Sequence, residues 1–228
     1  MRSITGVLVM LLVSVLSQAA QAADDWTGLS FSLGVNQSDG DFSLSHRGQM
    51  FSFGEILNVP LSGTVTTYEI GYRFPIGGSI LRLGVNAILH DGAIGGSKTW
   101  DSRYATATFA VTSDLRLSLG AEVGTVIGKR ERLYVYAGAG MVATDLAASF
   151  AIDTPFGDWS KNKEGGAVGA IYRLGLQYQV NDSLSVGLSV SQMEFDAGKA
   201  FGLGDMGEQR FEAELEQTIF GLNISYNF

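Results

Sequence analysis

The chain has 228 residues, and its 23 acidic side chains outnumber its 15 lysines and arginines, so its formal net charge is −8. This acidic balance, without any cluster of basic residues, argues against a nucleic acid partner, whose phosphates require a basic surface. The chain contains no cysteine, so disulfides do not hold the fold together. Thirty glycines and only three prolines suit a single β domain whose strands curve tightly and approach one another closely.

The first 22 residues have the pattern of a secretory signal peptide. Arg2 supplies a positive start, the segment from Val7 to Leu16 is almost purely apolar, and the small residues Ala20 and Ala22 precede a cleavage site between Ala22 and Ala23. The apolar run is shorter than the roughly 20 residues of a transmembrane helix. An uncleaved N-terminal anchor is the alternative. We therefore predict a signal peptide over 1–22 and one exported domain over 23–228.

Eight segments of the remaining chain alternate apolar with small or polar residues. A β-strand turns successive side chains to opposite faces, so each segment predicts a strand with one apolar side. The segments lie at about 26–36, 65–74, 80–89, 114–127, 133–141, 170–180, 184–191 and 220–228.

The connections between these segments alternate in length. Short links follow the second, fourth and sixth segments, whereas long polar loops are predicted at 37–64, 90–113, 151–165 and 194–213. Short turns at one end and long loops at the other are typical of outer-membrane barrels, in which the short turns are periplasmic. The pattern predicts an all-β fold, an eight-stranded antiparallel up-and-down transmembrane β-barrel with both termini in the periplasm.

Charged residues within the segments indicate which face is inside. They share the parity of the glycines and serines, which places them in the lumen if the apolar face meets lipid; a soluble barrel with an apolar interior is the alternative. Charges in a narrow lumen are costly unless they are paired. We therefore predict a lumenal ion-pair network in which arginines from neighbouring strands flank the two glutamates, and a gated low-conductance pore is the alternative role. Its members are Glu69, Arg73, Arg82, Arg116, Glu122 and Arg173.

Residues suited to catalysis are scarce. His46 and His90 are the only histidines, with Ser45 and Asp91 as their polar sequence neighbours. Neither histidine has a serine two positions later, the arrangement found in the eight-stranded lipid A deacylase family. The acids of the last predicted loop lack the spacing of a calcium-binding loop. We predict a protein that is not an enzyme and has no cofactor or metal site; a lipid A-modifying enzyme is the least favoured alternative.

The two ends of the chain and one turn resemble a known family. The signal peptide, the opening from Asp25 to Gly28, the turn from Val180 to Gly187 and the ending from Phe220 to Phe228 resemble the small outer-membrane β-barrel proteins of the opacity/surface-antigen and OmpA-like porin-domain superfamily. We expect the chain to depart from the OmpA pattern in having no periplasmic peptidoglycan-binding domain. The resemblance implies recognition of the last strand by the barrel assembly machinery. That assembly signal comprises Phe220, Leu222, Ile224, Tyr226 and Phe228.

These observations together predict a structural or surface-interaction protein of the Gram-negative outer membrane. Its expected role is envelope integrity or adhesion through the long extracellular loops, because binding specificity is commonly carried by loops. A narrow porin-like channel is the second hypothesis. The expected partners are outer-membrane lipid and lipopolysaccharide, the barrel assembly machinery and a possible extracellular ligand.

Overall fold

A computed structural model describes residues 26–48, 54–76, 80–127, 132–197, 205–206 and 209–228 of the chain. The predicted signal peptide and its cleavage site at Ala22 and Ala23 lie outside these ranges. Within them the backbone is almost entirely antiparallel β-strand. The strands are β1 (Gly28–Gly48), β2 (Gly54–Pro75), β3 (Leu81–Asp91), β4 (Ala93–Asp101), β5 (Thr106–Ile127), β6 (Leu133–Thr154), β7 (Gly157–Gln179), β8 (Leu184–Asp196), β9 (Asp205–Met206) and β10 (Gln209–Asn227).

The strands close into a ring with eight positions, which we call staves. Sequential strands pair with their neighbours, and β1 pairs with both β2 and β10. β3 and β4 form one stave that bends at Gly92, and the short β9 pairs with the end of β10. This arrangement confirms the predicted eight-stranded up-and-down barrel. No helix in the described part of the chain is long and apolar enough to cross a membrane.

Most residues predicted to form long loops instead extend the staves. β6 and β7 remain paired from Leu133 and Tyr178 as far as Thr154 and Gly157, which leaves only a tight turn between them. β1 runs to Gly48, and β4 runs to Asp101. The prediction of long loops at 37–64, 90–113 and 151–165 is therefore wrong, because backbone pairing continues where the apolar alternation of the first half ends.

The half of the barrel next to Trp26 and Phe228 has a polar lumen and an apolar outer surface. We call this end the terminal end and the opposite one the distal end. The outer surface carries exposed Leu33, Leu83, Leu119 and Leu222, whereas Ser32, Glu122 and Ser225 on the same strands are buried inside. This belt of exposed apolar side chains is what a strand requires when its outer face meets hydrocarbon.

The faces are reversed in the distal half. Inside, a continuous apolar cluster contains Phe42, Val59, Leu115 and Leu146. Outside, β1, β8 and β10 expose acidic side chains, among them Asp39, Asp41, Glu194, Glu214 and Glu216. This half therefore has the distribution of a water-soluble barrel, with apolar side chains in the lumen and charged side chains on the outer surface.

The aromatic residues at the terminal end separate into two groups. Tyr226 is about half exposed on the outer surface and contacts Phe228, with ring centroids 4.6 Å apart. Trp26 lies at the same end but is only 2% exposed, and its side chain is inside the barrel. The outer aromatic residues are placed as an interfacial girdle requires, but Trp26 belongs to the lumen.

Candidate functional site in the lumen

A layer of stacked aromatic rings fills the lumen at the terminal end. The ring centroids of Trp26 and Tyr134 are 5.3 Å apart, and those of Tyr134 and Tyr136 are 5.6 Å apart. Both tyrosines are fully or almost fully buried. Two glycines leave room for them, because a Cβ atom on Gly124 or Gly175 would collide with the ring of Tyr134 or Tyr136, respectively.

Two buried ion pairs lie beside this aromatic layer. Arg173 Nη1 is 2.8 Å from Glu69 Oε1, and Arg73 Nε is 2.9 Å from Glu122 Oε1. The first pair joins β7 to β2, which are diametrically opposite staves, and the second joins β2 to β5. Both ion pairs thus join staves that are not neighbours, whereas the sequence pattern predicts arginines on the neighbouring strands of each glutamate.

Neutral polar groups extend this network to the remaining wall. Arg73 Nη2 donates to Gln177 Oε1 at 3.1 Å, and Gln177 Nε2 donates to Ser225 Oγ at 3.3 Å. The guanidinium of Arg73 also lies 4.7 Å from the centroid of the Tyr134 ring. Arg82 is 3% exposed and donates from Nη1 to the Leu81 carbonyl at 3.0 Å. Hydrogen bonds to the charged groups offset part of the cost of removing them from water.

Arg116 does not belong to the lumen, so that part of the predicted network is wrong. The pairing of β5 with β6 shifts by one residue between Leu115 and Leu117. A bulge of one residue reverses the faces on its far side, so Leu115 is buried and Arg116 points outward. Arg116 pairs with Asp145 at 2.9 Å and Asp114 at 2.8 Å, beyond the apolar belt. The hydrogen bond to Asp145 and the charge of Asp114 raise its pKa.

The lumen also contains a serine and histidine pair that sequence spacing does not reveal. His90 Nε2 lies 2.7 Å from Ser118 Oγ, because β3 and β5 are adjacent. The buried Nδ1 of His90 has no hydrogen-bond partner, so no carboxylate orients the ring. Asp91 is exposed, so it lies on the opposite face of β3 from His90. The side chain of His46 lies outside the described part of the structure.

Further contacts between opposite walls close the distal half of the lumen. Gln217 Nε2 on β10 donates to Ser113 Oγ on β5 at 2.8 Å, and these strands are again diametrically opposite. Above them, Phe42 and Phe109 stack with centroids 5.8 Å apart. Between the charged layer and the apolar cluster lies a cavity of about 20 Å³, lined in part by Ser118 and Arg173. That is about the volume of a single water molecule.

No group of three or more histidine, aspartate or glutamate side chains within the described ranges is arranged to hold a metal ion. The buried acids of the lumen instead face arginines, which are cations already. The lumen is thus built from ion pairs, amides and aromatic rings.

A closed antiparallel ring with an apolar outer belt and a polar lumen defines a transmembrane β-barrel. The model of the outer membrane protein β-barrel domain family matches residues 8–228. The chain belongs to this family of bacterial outer-membrane proteins. The search of curated proteins found no matching sequence.

Solved structures of several outer-membrane barrels are similar to this fold. The outer membrane protease OmpT of Escherichia coli has a TM-score of 0.50 and 8% identity, with 92% of this chain and 100% of that chain covered. OprG of Pseudomonas aeruginosa has a TM-score of 0.46, 10% identity and coverage of 89% and 97%. Ail, the attachment invasion locus protein of Yersinia pestis, has a TM-score of 0.38, 14% identity and coverage of 89% and 99%. At these identities the likeness concerns the fold alone.

Proposed function

We propose that this protein is a non-conducting outer-membrane barrel with a structural and surface-interaction role. The observation that carries the proposal is that side chains from diametrically opposite staves meet at two levels of the lumen. Glu69 and Arg173 meet in the terminal half, and Ser113 and Gln217 meet in the distal half. A barrel of eight strands has an interior just wide enough to be filled by side chains.

The proposed orientation puts the terminal end in the periplasm and the distal end outside the cell. At the terminal end the chain turns from Val180 to Leu184 next to the apolar belt, whereas at the distal end β6 and β7 continue past the belt to Thr154 and Gly157. This asymmetry supports the assignment, because such barrels have short periplasmic turns and longer extracellular connections. The apolar belt would contact outer-membrane lipid and lipopolysaccharide. The last strand exposes Phe220, Leu222, Ile224 and Tyr226 on its outer face, as a signal read by the barrel assembly machinery would require.

We infer that the lumen performs no catalysis. The His90 and Ser118 pair is the arrangement nearest to a catalytic dyad among the described side chains. Both residues are buried, between the charged layer of the terminal half and the apolar cluster of the distal half. A catalytic serine needs a base held in one tautomer by a third group and a path for its substrate. The free Nδ1 of His90 argues against the first requirement, and the closed lumen argues against the second.

Planar-bilayer recording tests the proposal. The wild-type protein should give no reproducible conductance steps when its insertion has been verified. The variant Glu69→Ala/Arg173→Ala should remain silent as well, because it removes one cross-lumen contact and leaves the distal contacts and the apolar cluster in place.

Two outcomes would contradict the closed-lumen proposal. Reproducible steps from the wild type would show a narrow channel, the second hypothesis. Steps that appear only in Glu122→Ala or Arg82→Ala would show that the charged layer acts as a gate. Asp145→Ala is the matched control, because it breaks an ion pair on the outer surface.

A further inference from the structure

At the distal end, four neighbouring strands continue past Phe109, which packs against the apolar cluster, while β1, β2 and β10 continue on the other side of the ring. β4 and β5 stay paired to Asp101 and Thr106, β5 and β6 to Thr106 and Asp153, and β6 and β7 to Thr154 and Gly157. They occupy half of the ring, so the side of this sheet that faces the barrel axis is concave. We call this side the inner mouth face.

The strand register places aromatic and basic residues together on the inner mouth face. Lys98, Phe109, Phe150 and Lys161 are successive cross-strand partners and form one row across the four strands. Phe109 fixes the direction of this row, because it stacks on Phe42 of the buried cluster. The row therefore has two aromatic rings in its centre and a lysine at each edge.

The neighbouring rows add further groups of the same two kinds. The next row towards the tip ends in Trp100 and Trp159, which are 40% and 52% exposed. Trp159 lies edge-on to Phe150, and Lys98 Nζ is 5.9 Å from the centre of the Trp100 ring. The row below ends in Lys163. The basic groups at the two edges are separated by three strand spacings, or about 14 Å.

Acidic residues occupy only the opposite side of this sheet. Asp101, Asp153 and Asp158 pair in register with Thr106 in one row, whose side chains have the outward parity. Glu164 has the same outward parity on β7. The sheet therefore has a basic and aromatic inner face and an acidic outer face, although the whole chain is acidic.

We propose that the inner mouth face binds an acidic polysaccharide that approaches from outside the cell. The three lysines bind its anionic groups, and the exposed tryptophans pack against its sugar rings, whose polarised C–H groups are attracted to the negative face of an aromatic ring. The proposal rests on the proposed function in one respect, the outward orientation of the distal end.

The spacing and position of the charges favour this ligand over two others. Three cations spread over about 14 Å suit a chain with one charge on every sugar or two, whereas each strand of a nucleic acid carries a phosphate about every 3.4 Å. Lipopolysaccharide of the same membrane surrounds the barrel, so its sugars meet the acidic outer face. The lysines and tryptophans of the inner mouth face are exposed, so a ligand from solution can reach them.

Equilibrium binding of labelled chondroitin sulfate and hyaluronan oligosaccharides to the full chain in nanodiscs tests the proposal. Saturable binding of at least one of them is expected, and neutral dextran should not bind. The variant Lys98→Gln/Lys161→Gln/Lys163→Gln should bind about tenfold more weakly, since three exposed ion pairs of ordinary strength together amount to roughly that factor. If neither acidic polysaccharide binds, the proposal is wrong.

A control variant separates the inner mouth face from net charge. Thr99→Glu/Ser160→Glu/Asn162→Glu changes the charge by −3, as does the loss of three lysines, but at outward positions of the same strands. Its affinity should change by less than about threefold, as expected for screened charges on the far side of the sheet. Equal losses in the two variants would reduce the effect to bulk electrostatics and overturn the proposal.

Polyglutamate tests the saccharide part of the inference. Trp100→Ala/Trp159→Ala should weaken binding of the acidic polysaccharide and leave any binding of polyglutamate unchanged. If wild-type protein binds polyglutamate as tightly as the polysaccharide, the ligand is an acidic polypeptide and the saccharide assignment is wrong. A conducting wild-type barrel would contradict the closed lumen without affecting either binding result.

Discussion

Individual side chains close this lumen, and the unfolding free energy lost when one of them is substituted depends on how deeply it is buried. The side chains of Glu69 and Arg173 are each about 10% exposed, whereas those of Asp145 and Arg116 on the outer surface are 61% and 57% exposed. Removing one member of a buried pair leaves the other charge in a medium of low dielectric constant, but an exposed partner is simply rehydrated.

The Glu69→Ala variant should therefore lose about 3 kcal/mol of unfolding free energy, because it strands the Arg173 guanidinium. The double variant Glu69→Ala/Arg173→Ala should lose less, since no unpaired charge remains. Urea unfolding in lipid vesicles, followed by tryptophan fluorescence, measures both. Asp145→Ala is the exposed control, with an expected loss of at most about 1 kcal/mol. A double variant less stable than the single one would contradict the ion-pair explanation.

At the scale of the strands, the sequence predicts the terminal half of the barrel well and the distal half poorly. Alternation with a constant parity identifies the outward face of the segment at 220–228, and the structure exposes Phe220, Leu222 and Ile224. Past the apolar belt the alternation continues with the opposite sense, as Asp39 and Asp41 alternate with Gly40 and Phe42. When a strand is predicted from one apolar face, the prediction therefore ends the strand where the apolar residues change sides.

The outward position of Arg116 and the contact between His90 and Ser118 are two local features that the sequence pattern does not predict, for a similar physical reason. One extra residue at the β5 bulge moves Arg116 from the predicted lumen to the outer surface, and no residue type in that segment requires a bulge. The pairing of His90 with Ser118 depends on register between strands 28 residues apart. Both features follow from pairing partners, which alternation along a single strand does not contain.

The bend between β3 and β4 leads to a prediction about Gly92. Its φ of 133° lies in a region that other residues rarely adopt, and an added Cβ would lie 2.7 Å from the Thr64 carbonyl oxygen. Gly92→Ala should reduce the unfolding free energy by about 1–3 kcal/mol through backbone strain. Gly166→Ala is the matched control, because the nearest atom to its added Cβ is 3.8 Å away. Equal stabilities of the two variants would show that the bend needs no glycine.

At the scale of the whole molecule, the closed ring of paired strands predicts slow unfolding. Each stave is hydrogen-bonded on both sides along the belt, so no free edge is available there from which the sheet can unravel. The family and the fold establish an outer-membrane barrel.

This closure predicts heat-modifiable migration in gels. The unboiled protein in dodecyl sulfate should keep its ring and run at a different apparent mass from the boiled protein, because the barrier to opening is crossed slowly at room temperature. Denaturing electrophoresis of paired boiled and unboiled samples measures this difference. Identical migration would indicate a barrel that dodecyl sulfate opens without heat.

The reversal of faces halfway up the wall also fixes the depth of the barrel in the membrane. If the barrel moved along its axis towards the distal end by one pair of residues, leucines of the belt would enter water. If it moved the other way, Asp39, Asp145 and Glu194 would enter hydrocarbon. Both displacements raise the free energy, so the barrel has one preferred height. The inner mouth face is consequently held at a constant distance above the lipid, and a ligand bound there would meet every copy of the protein at the same level.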